Sequence, residues 1–105
     1  MEDLQAFISS HKRVVCKFTA PWCAPCQQLN PVLSELARES NDTCRFLSID
    51  VDNVDGATEH YQITSIPHLV YFKDAAKHTE HTAPDEAAIR KILCDMGASV
   101  EAKMS

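Results

Sequence analysis

Apolar positions along this chain follow two rhythms, one of about 3.6 residues and one of short, nearly continuous runs. Leu4, Phe7 and Ile8 recur at helical spacing, so residues 3 to 11 read as a short amphipathic helix with Asp3 as its N-cap. Arg13 to Thr19 is apolar almost throughout, the pattern of a central strand buried on both faces. After Cys23, one stripe of Leu29, Val32, Leu33, Leu36 and Ala37 predicts a long helix, with Pro31 inside it as the expected kink. Cys44 to Val51 reads as a second strand, and Asp55-Gly56 through Tyr61 as a turn and a short helix. Leu69 to Phe72 and Lys77 to Thr82 predict a third and a fourth strand. They join through Asp74-Ala75-Ala76, without the glycine such a turn favours. A last helix begins near Pro84, runs through Ile89, Ile92, Leu93 and Met96, and stops at Gly97, leaving Ala98 to Ser105 as a frayed or weakly helical tail. This order predicts an α/β layered sandwich with a parallel half and a terminal hairpin.

Composition narrows the picture. A chain of 105 residues with 45% hydrophobic content suits one domain, 1–105, around one core. A formal charge of -5, without clustered Lys and Arg, argues against a nucleic-acid surface. No apolar run is long enough to cross a bilayer, and the acidic start Met1-Glu2-Asp3-Leu4 lacks the succession of a signal peptide. The expected address is therefore cytoplasmic. In that reducing compartment a Cys-x-x-Cys pair reads as redox-active or metal-binding before it reads as a staple.

Such a pair is present in Pro21-Trp22-Cys23-Ala24-Pro25-Cys26, at a strand-to-helix junction. Unsatisfied N–H groups and the positive dipole end of a helix favour a thiolate at Cys23. A free thiol near pKa 8.5 is only roughly 3% ionised at pH 7, whereas a pKa near 7 gives about half. Cys26, one turn on, lies beside Cys23 and points inward, so Cys23 attacks a target disulfide and Cys26 resolves the mixed one. Pro25 fixes the first helical turn, and Trp22 offers a flat apolar wall to a polypeptide substrate. A zinc site would need a partner pair, but Cys16, Cys44 and Cys94 stand singly and the five histidines are scattered, so no metal is expected.

The segment Phe18-Thr19-Ala20-Pro21-Trp22-Cys23-Ala24-Pro25-Cys26 resembles the active-site segment of the thioredoxin family. Pro31, Ile49-Asp50-Val51-Asp52 and Thr64-Ser65-Ile66-Pro67-His68 fall at the family's other landmarks, over roughly Leu4 to Met96. The resemblance implies a thioredoxin-like three-layer α/β/α sandwich, with four strands in a mixed sheet because the usual N-terminal strand has no room. It implies a cis bond before Pro67, which would stand opposite Cys23, with Ile66 and Ala83 lining the substrate groove. Ala24 replaces the usual Gly and favours the helix by up to roughly 1 kcal/mol. The implied activity is protein disulfide reduction with no bound cofactor beyond the Cys23–Cys26 disulfide itself. Thioredoxin reductase is the implied donor, and peroxiredoxin, methionine sulfoxide reductase or ribonucleotide reductase the implied acceptors. A monomer is expected, with the edge at Cys44 to Asp50 the place where a weak dimer would form. A protein-binding module with little turnover and an iron-sulfur scaffold are the alternatives.

Lys17 is the largest departure, standing where the family has a buried acid. A buried ammonium must reach solvent, lose its proton or pair, and Asp50 on the adjacent strand is the expected partner. Cys16, Cys44 and Cys94 read as core thiols. His78 and His81 fall on opposite strand faces, and His68 reads as peripheral.

Overall fold

A computed structural model describes residues 2–53 and 56–101. The elements in chain order are α1 (Glu2–Ser10), β1 (Arg13–Thr19), α2 (Ala24–Ser40), β2 (Arg45–Asp50), α3 (Ala57–His60), β3 (His68–Lys73), β4 (Ala76–Thr82) and α4 (Glu86–Asp95). The four strands form one sheet in the order β2-β1-β3-β4. β1 runs parallel to β2 and antiparallel to β3, which pairs antiparallel with β4.

Alternation along β1 builds the two cores. Val15 faces one side, where Leu29, Leu33 and Leu36 of α2 meet Leu69, Tyr71, Ile89 and Leu93. Val14, Cys16 and Phe18 face the other, packing with Leu4 and Ile8 of α1, Ile49, Ala57 and Val70. Helices therefore cover both faces of a mixed four-stranded sheet. This is the expected three-layer arrangement, and the run-on hydrophobicity of β1 follows from burial on both faces.

Local chemistry corrects several expected boundaries. Asp3 lies inside α1 and not at its cap. Pro84 precedes α4, which is capped by Asp85, whose carboxylate accepts the Ala88 N–H at 2.8 Å. A short acidic side chain satisfies an orphan donor that a proline ring cannot. Pro31 lies inside α2, as expected. The expected Asp55 turn lies outside the described residues, while Gly56 leads into α3 with φ 78°.

The expected frayed tail is tied down as far as Glu101. The Gly97 N–H donates to Cys94 O at 3.0 Å and that of Ala98 to Leu93 O at 2.9 Å. Ser99 N donates to Thr43 Oγ1 at 2.9 Å and Glu101 N to Glu39 Oε1 at 2.7 Å. Arg90, buried under this segment, donates to Glu39 at 2.8 Å, Glu86 at 2.8 Å and the Glu101 carbonyl at 3.2 Å. One guanidinium thus joins α2, α4 and the tail through charge-assisted bonds. Residues 102–105 lie outside the described residues.

The two-residue link between β3 and β4 places Asp74 at φ 53° and Ala75 at φ 68°. Left-handed backbone at both central positions matches the right-handed twist of a hairpin, at a steric cost that Cβ imposes on Ala75. Ala75→Gly is expected to raise stability by about 1 kcal/mol, seen as a higher urea midpoint at unchanged slope.

Two core thiols make stability depend on alkaline pH. Burial pushes Cys16 up to about 12 from 9.0. It also raises Cys44 to about 12, with Arg13 opposing part of the rise. In the unfolded chain these thiols ionise from about pH 9, whereas the native state keeps both protons. Their contribution is therefore full below the unfolded pKa and lost as pH rises toward the folded one. Urea titrations between about pH 9 and pH 11 should show a steeper loss for the parent than for Cys16→Ala, approaching about 1.4 kcal/mol per pH unit above pH 9.

Candidate active site

The chain leaves β1 at Thr19 and turns once before α2. Cys23 N donates to Ala20 O at 3.1 Å, closing that turn. Cys23 is the N-cap of α2, in extended conformation at φ -92° and ψ 103°. Its sulfur accepts the Cys26 N–H at 3.3 Å, so the thiol takes the place of a capping hydroxyl or carboxylate. Ala24 and Pro25 fill the first two helical positions, and Pro25 brings no N–H to be satisfied there. A sulfur at this place feels both a directed N–H and the helix dipole, which lower the cost of a thiolate.

Cys23 and Cys26 are joined as a disulfide, with their Cα atoms 5.3 Å apart. Cys23 retains 6% exposure, whereas Cys26 is fully buried. An incoming nucleophile or substrate therefore reaches the pair through Cys23. Among the described residues no group of three His, Cys, Asp or Glu is placed to hold a metal ion.

The surrounding surface comes from four loops. Trp22 is 69% exposed, and its indole N–H donates to Asp52 Oδ2 at 2.9 Å. Asp52 was missed by sequence reasoning. The signal was available, because parallel pairing of β1 and β2 brings their carboxyl ends together, with Val51 N donating to Thr19 O at 2.9 Å. The Ile66–Pro67 bond is cis, in agreement with the expectation. Ile66 packs on the small cluster of Ala20, Cys23 and Cys26. Pro67 O accepts the Ala83 N–H at 2.8 Å, and Ala83 adopts φ 47°. Pro25, Pro67 and Ala83 share the lining of a cavity of about 190 Å³ with Gln28, Leu29 and Pro84. Of the residues expected to line a substrate groove, Pro67 and Ala83 share this cavity and Ile66 lies against the disulfide, while Trp22 is bonded to Asp52.

Lys17 corrects one expectation. It lies opposite Ser48 in the β1–β2 register and is only 3% exposed, so it is buried and does not extend along the outer surface. Its Nζ donates to Asn30 Oδ1 and to Cys26 O, the latter at 3.4 Å. Asp50, the expected partner, lies opposite Thr19 and makes no ion pair with Lys17. Its carboxylate accepts from Asp52 N at 2.9 Å and Asn53 Nδ2 at 3.1 Å. Closing the turn after β2 with its own side chain is the local alternative open to an aspartate, and here it prevails over a partner on β1. Burial pushes the Lys17 amine below the usual lysine range.

Asn30 is one helical turn beyond Cys26, on the same side of α2. Asn30 Nδ2 in turn donates to Gln27 Oε1 at 2.9 Å, and Gln27 Nε2 to Ala20 O at 3.0 Å. This chain of amides ties the back of the dithiol to the turn in front of it. Among the remaining residues, Cys16 and Cys44 are buried and Cys94 is half-buried, its thiol against Val100 O at 3.2 Å. His68 faces β4, contacting Thr82 Oγ1 at 2.9 Å and Glu80 Oε2 at 3.0 Å.

Comparison with known proteins agrees with this geometry. The thioredoxin family model matches residues 1–95. Thioredoxin of Echinococcus granulosus is 37% identical over 92 residues, covering 88% of this chain and 85% of its own. Thioredoxin-2 of Saccharomyces cerevisiae is 31% identical over 88 residues, covering 84% of each. The solution structure of oxidised Plasmodium falciparum thioredoxin superposes with a TM-score of 0.83 at 26% identity, covering 93% of both chains. Sequence, sheet order and the paired cysteines agree, and the chain belongs to the thioredoxin family as a thiol-disulfide oxidoreductase that reduces protein disulfides.

Proposed function

We propose that Cys23 is the attacking thiol and Cys26 the resolving thiol. The observation that carries this division is the unequal burial of two adjacent sulfurs, one capping a helix at the surface and one beneath it. In the reduced protein the Cys23 thiolate attacks one sulfur of a substrate disulfide. A Cys23–substrate bond forms, and the other substrate sulfur leaves as a thiolate that takes a proton from water. The Cys26 thiolate then attacks Cys23, which releases the second substrate thiolate and leaves the internal disulfide. Two electrons pass to the substrate, and a second reductase returns them to the pair.

Trp22, Ile66, Pro67 and Ala83 form the substrate groove in this reading. An extended polypeptide would lie on the Trp22 face, with the backbone of Ile66 within reach of its own. The electron donor is a thioredoxin reductase, and peroxiredoxin, methionine sulfoxide reductase and ribonucleotide reductase are the acceptors we propose. A reducing cytoplasm suits the buried, unbridged Cys16 and Cys44.

Cys26→Ser should accumulate a mixed disulfide on Cys23 when mixed with an oxidised protein substrate, whereas Cys23→Ser should neither trap nor turn over. Mass measurement of non-reduced adducts separates the outcomes, and trapping on Cys26 in Cys23→Ser would overturn the assignment.

Lys17 supports the resolving thiol electrostatically in this scheme. Its amine reaches the Cys26 carbonyl, so positive charge lies against the residue that becomes a thiolate during resolution. A cation so placed favours the charged thiol form. In Lys17→Met the Cys26 thiol should titrate about one pH unit higher, followed by thiolate absorbance in a Cys23→Ser background. An unchanged titration would refute this role.

A further inference from the structure

A second cavity, of about 420 Å³, lies between α2 and the outer part of the sheet, where β2 is the edge strand. Lys17, Asn30 and Ser48 line its polar end, and Leu33, Ala37 and Phe46 supply apolar wall. None of these residues lines the groove around Pro67 and Ala83, so the two sites are separate. Its size falls in the range of small-molecule sites, about 300–1,000 Å³, which are mostly apolar with a few fixed polar groups.

The polar end has an unmet charge. An ammonium carries three N–H donors. For Lys17 the protein offers two neutral acceptors, Asn30 Oδ1 and the Cys26 carbonyl. Among the described residues no carboxylate comes within ion-pair distance of Lys17, because Asp50 is engaged in the turn after β2. Buried charges are normally paired with an opposite charge, which two neutral acceptors do not supply. A lone lysine suits one negative charge, and the apolar wall beside it suits a hydrocarbon tail.

We propose that this cavity is a binding site for a small monocarboxylate with an aliphatic tail, its carboxylate on Lys17 and its tail against Leu33, Ala37 and Phe46. A cationic amphiphile of the same length is excluded by Lys17, and a neutral alcohol gains the wall but not the charge. The site goes beyond disulfide reduction, because binding is measured on the oxidised protein and needs no turnover.

The test is a titration of the oxidised full chain with sodium hexanoate, followed by amide NMR, with hexanol and hexylamine as matched probes at constant ionic strength. Hexanoate should give saturable shifts at Lys17, Asn30, Ser34, Phe46 and Ser48, with hexanol weaker by about tenfold and hexylamine silent. Lys17→Met should weaken hexanoate by about tenfold while leaving hexanol unchanged. Ala37→Phe, which fills the cavity without touching the amine, should block both, and it carries the test where Lys17→Met fails to fold. The proposal is overturned by absence of saturable hexanoate shifts, by equal affinity for hexanoate and hexanol, or by unchanged hexanoate affinity in folded Lys17→Met or Ala37→Phe.

Discussion

The position of β1 in the middle of the sheet governs nearly everything else in this molecule. Its backbone is bonded to β2 on one side and β3 on the other, and its side chains feed both cores. With every polar backbone group of the strand in demand and both faces dry, its register has little freedom. That register decides where the chain emerges at Thr19, and hence where Cys23 meets the start of α2. The same parallel pairing carries β2 to its end beside Trp22, where Asp52 receives the indole. A catalytic pair needs this kind of support, because one residue of slip would turn Lys17 and Val15 to the other face.

The dithiol shows how few groups shape reactivity once the helix start is in place. One backbone N–H, the dipole of a 17-residue helix and a proline without a donor act on Cys23 together. Behind it, Lys17 replaces an acidic solution with a basic one. The amine is held by an amide and a carbonyl, both neutral, and burial keeps its proton less firmly than in water. Cys26 therefore has an amine against its carbonyl and the core around its sulfur. The cavity that opens beside this amine lies at the same edge, where among the described residues no strand pairs with the outer side of β2.

Much of this was legible in the sequence, since hydrophobic rhythm reports burial and burial reports layers. The strands, the long helix and the stop at Gly97 follow from periodicity, and the dithiol from spacing at a strand-to-helix junction. The outer position of β2 among the described strands and the cis bond at Pro67 both agree with what the family resemblance implied. Boundaries moved where one side-chain hydrogen bond outweighed propensity, as when Asp85 took the cap from the neighbourhood of Pro84. The tail was misread as frayed because its anchors, Glu39, Thr43 and Arg90, belong to other elements.

What the sequence by itself determined is the order of elements, the two-faced burial of β1 and the chemistry of Cys23 and Cys26. These rest on interactions between residues close along the chain, whose geometry is set by helix and strand periods. Only the tertiary structure decided that Lys17 bonds to Asn30 and not Asp50, that Asp52 holds Trp22, and that a cavity lies open beside β2. Each of those outcomes is a competition among groups far apart in sequence. A side chain's partner there depends on which donors and acceptors the packed layers bring within about 3 Å, a distance that periodicity does not encode.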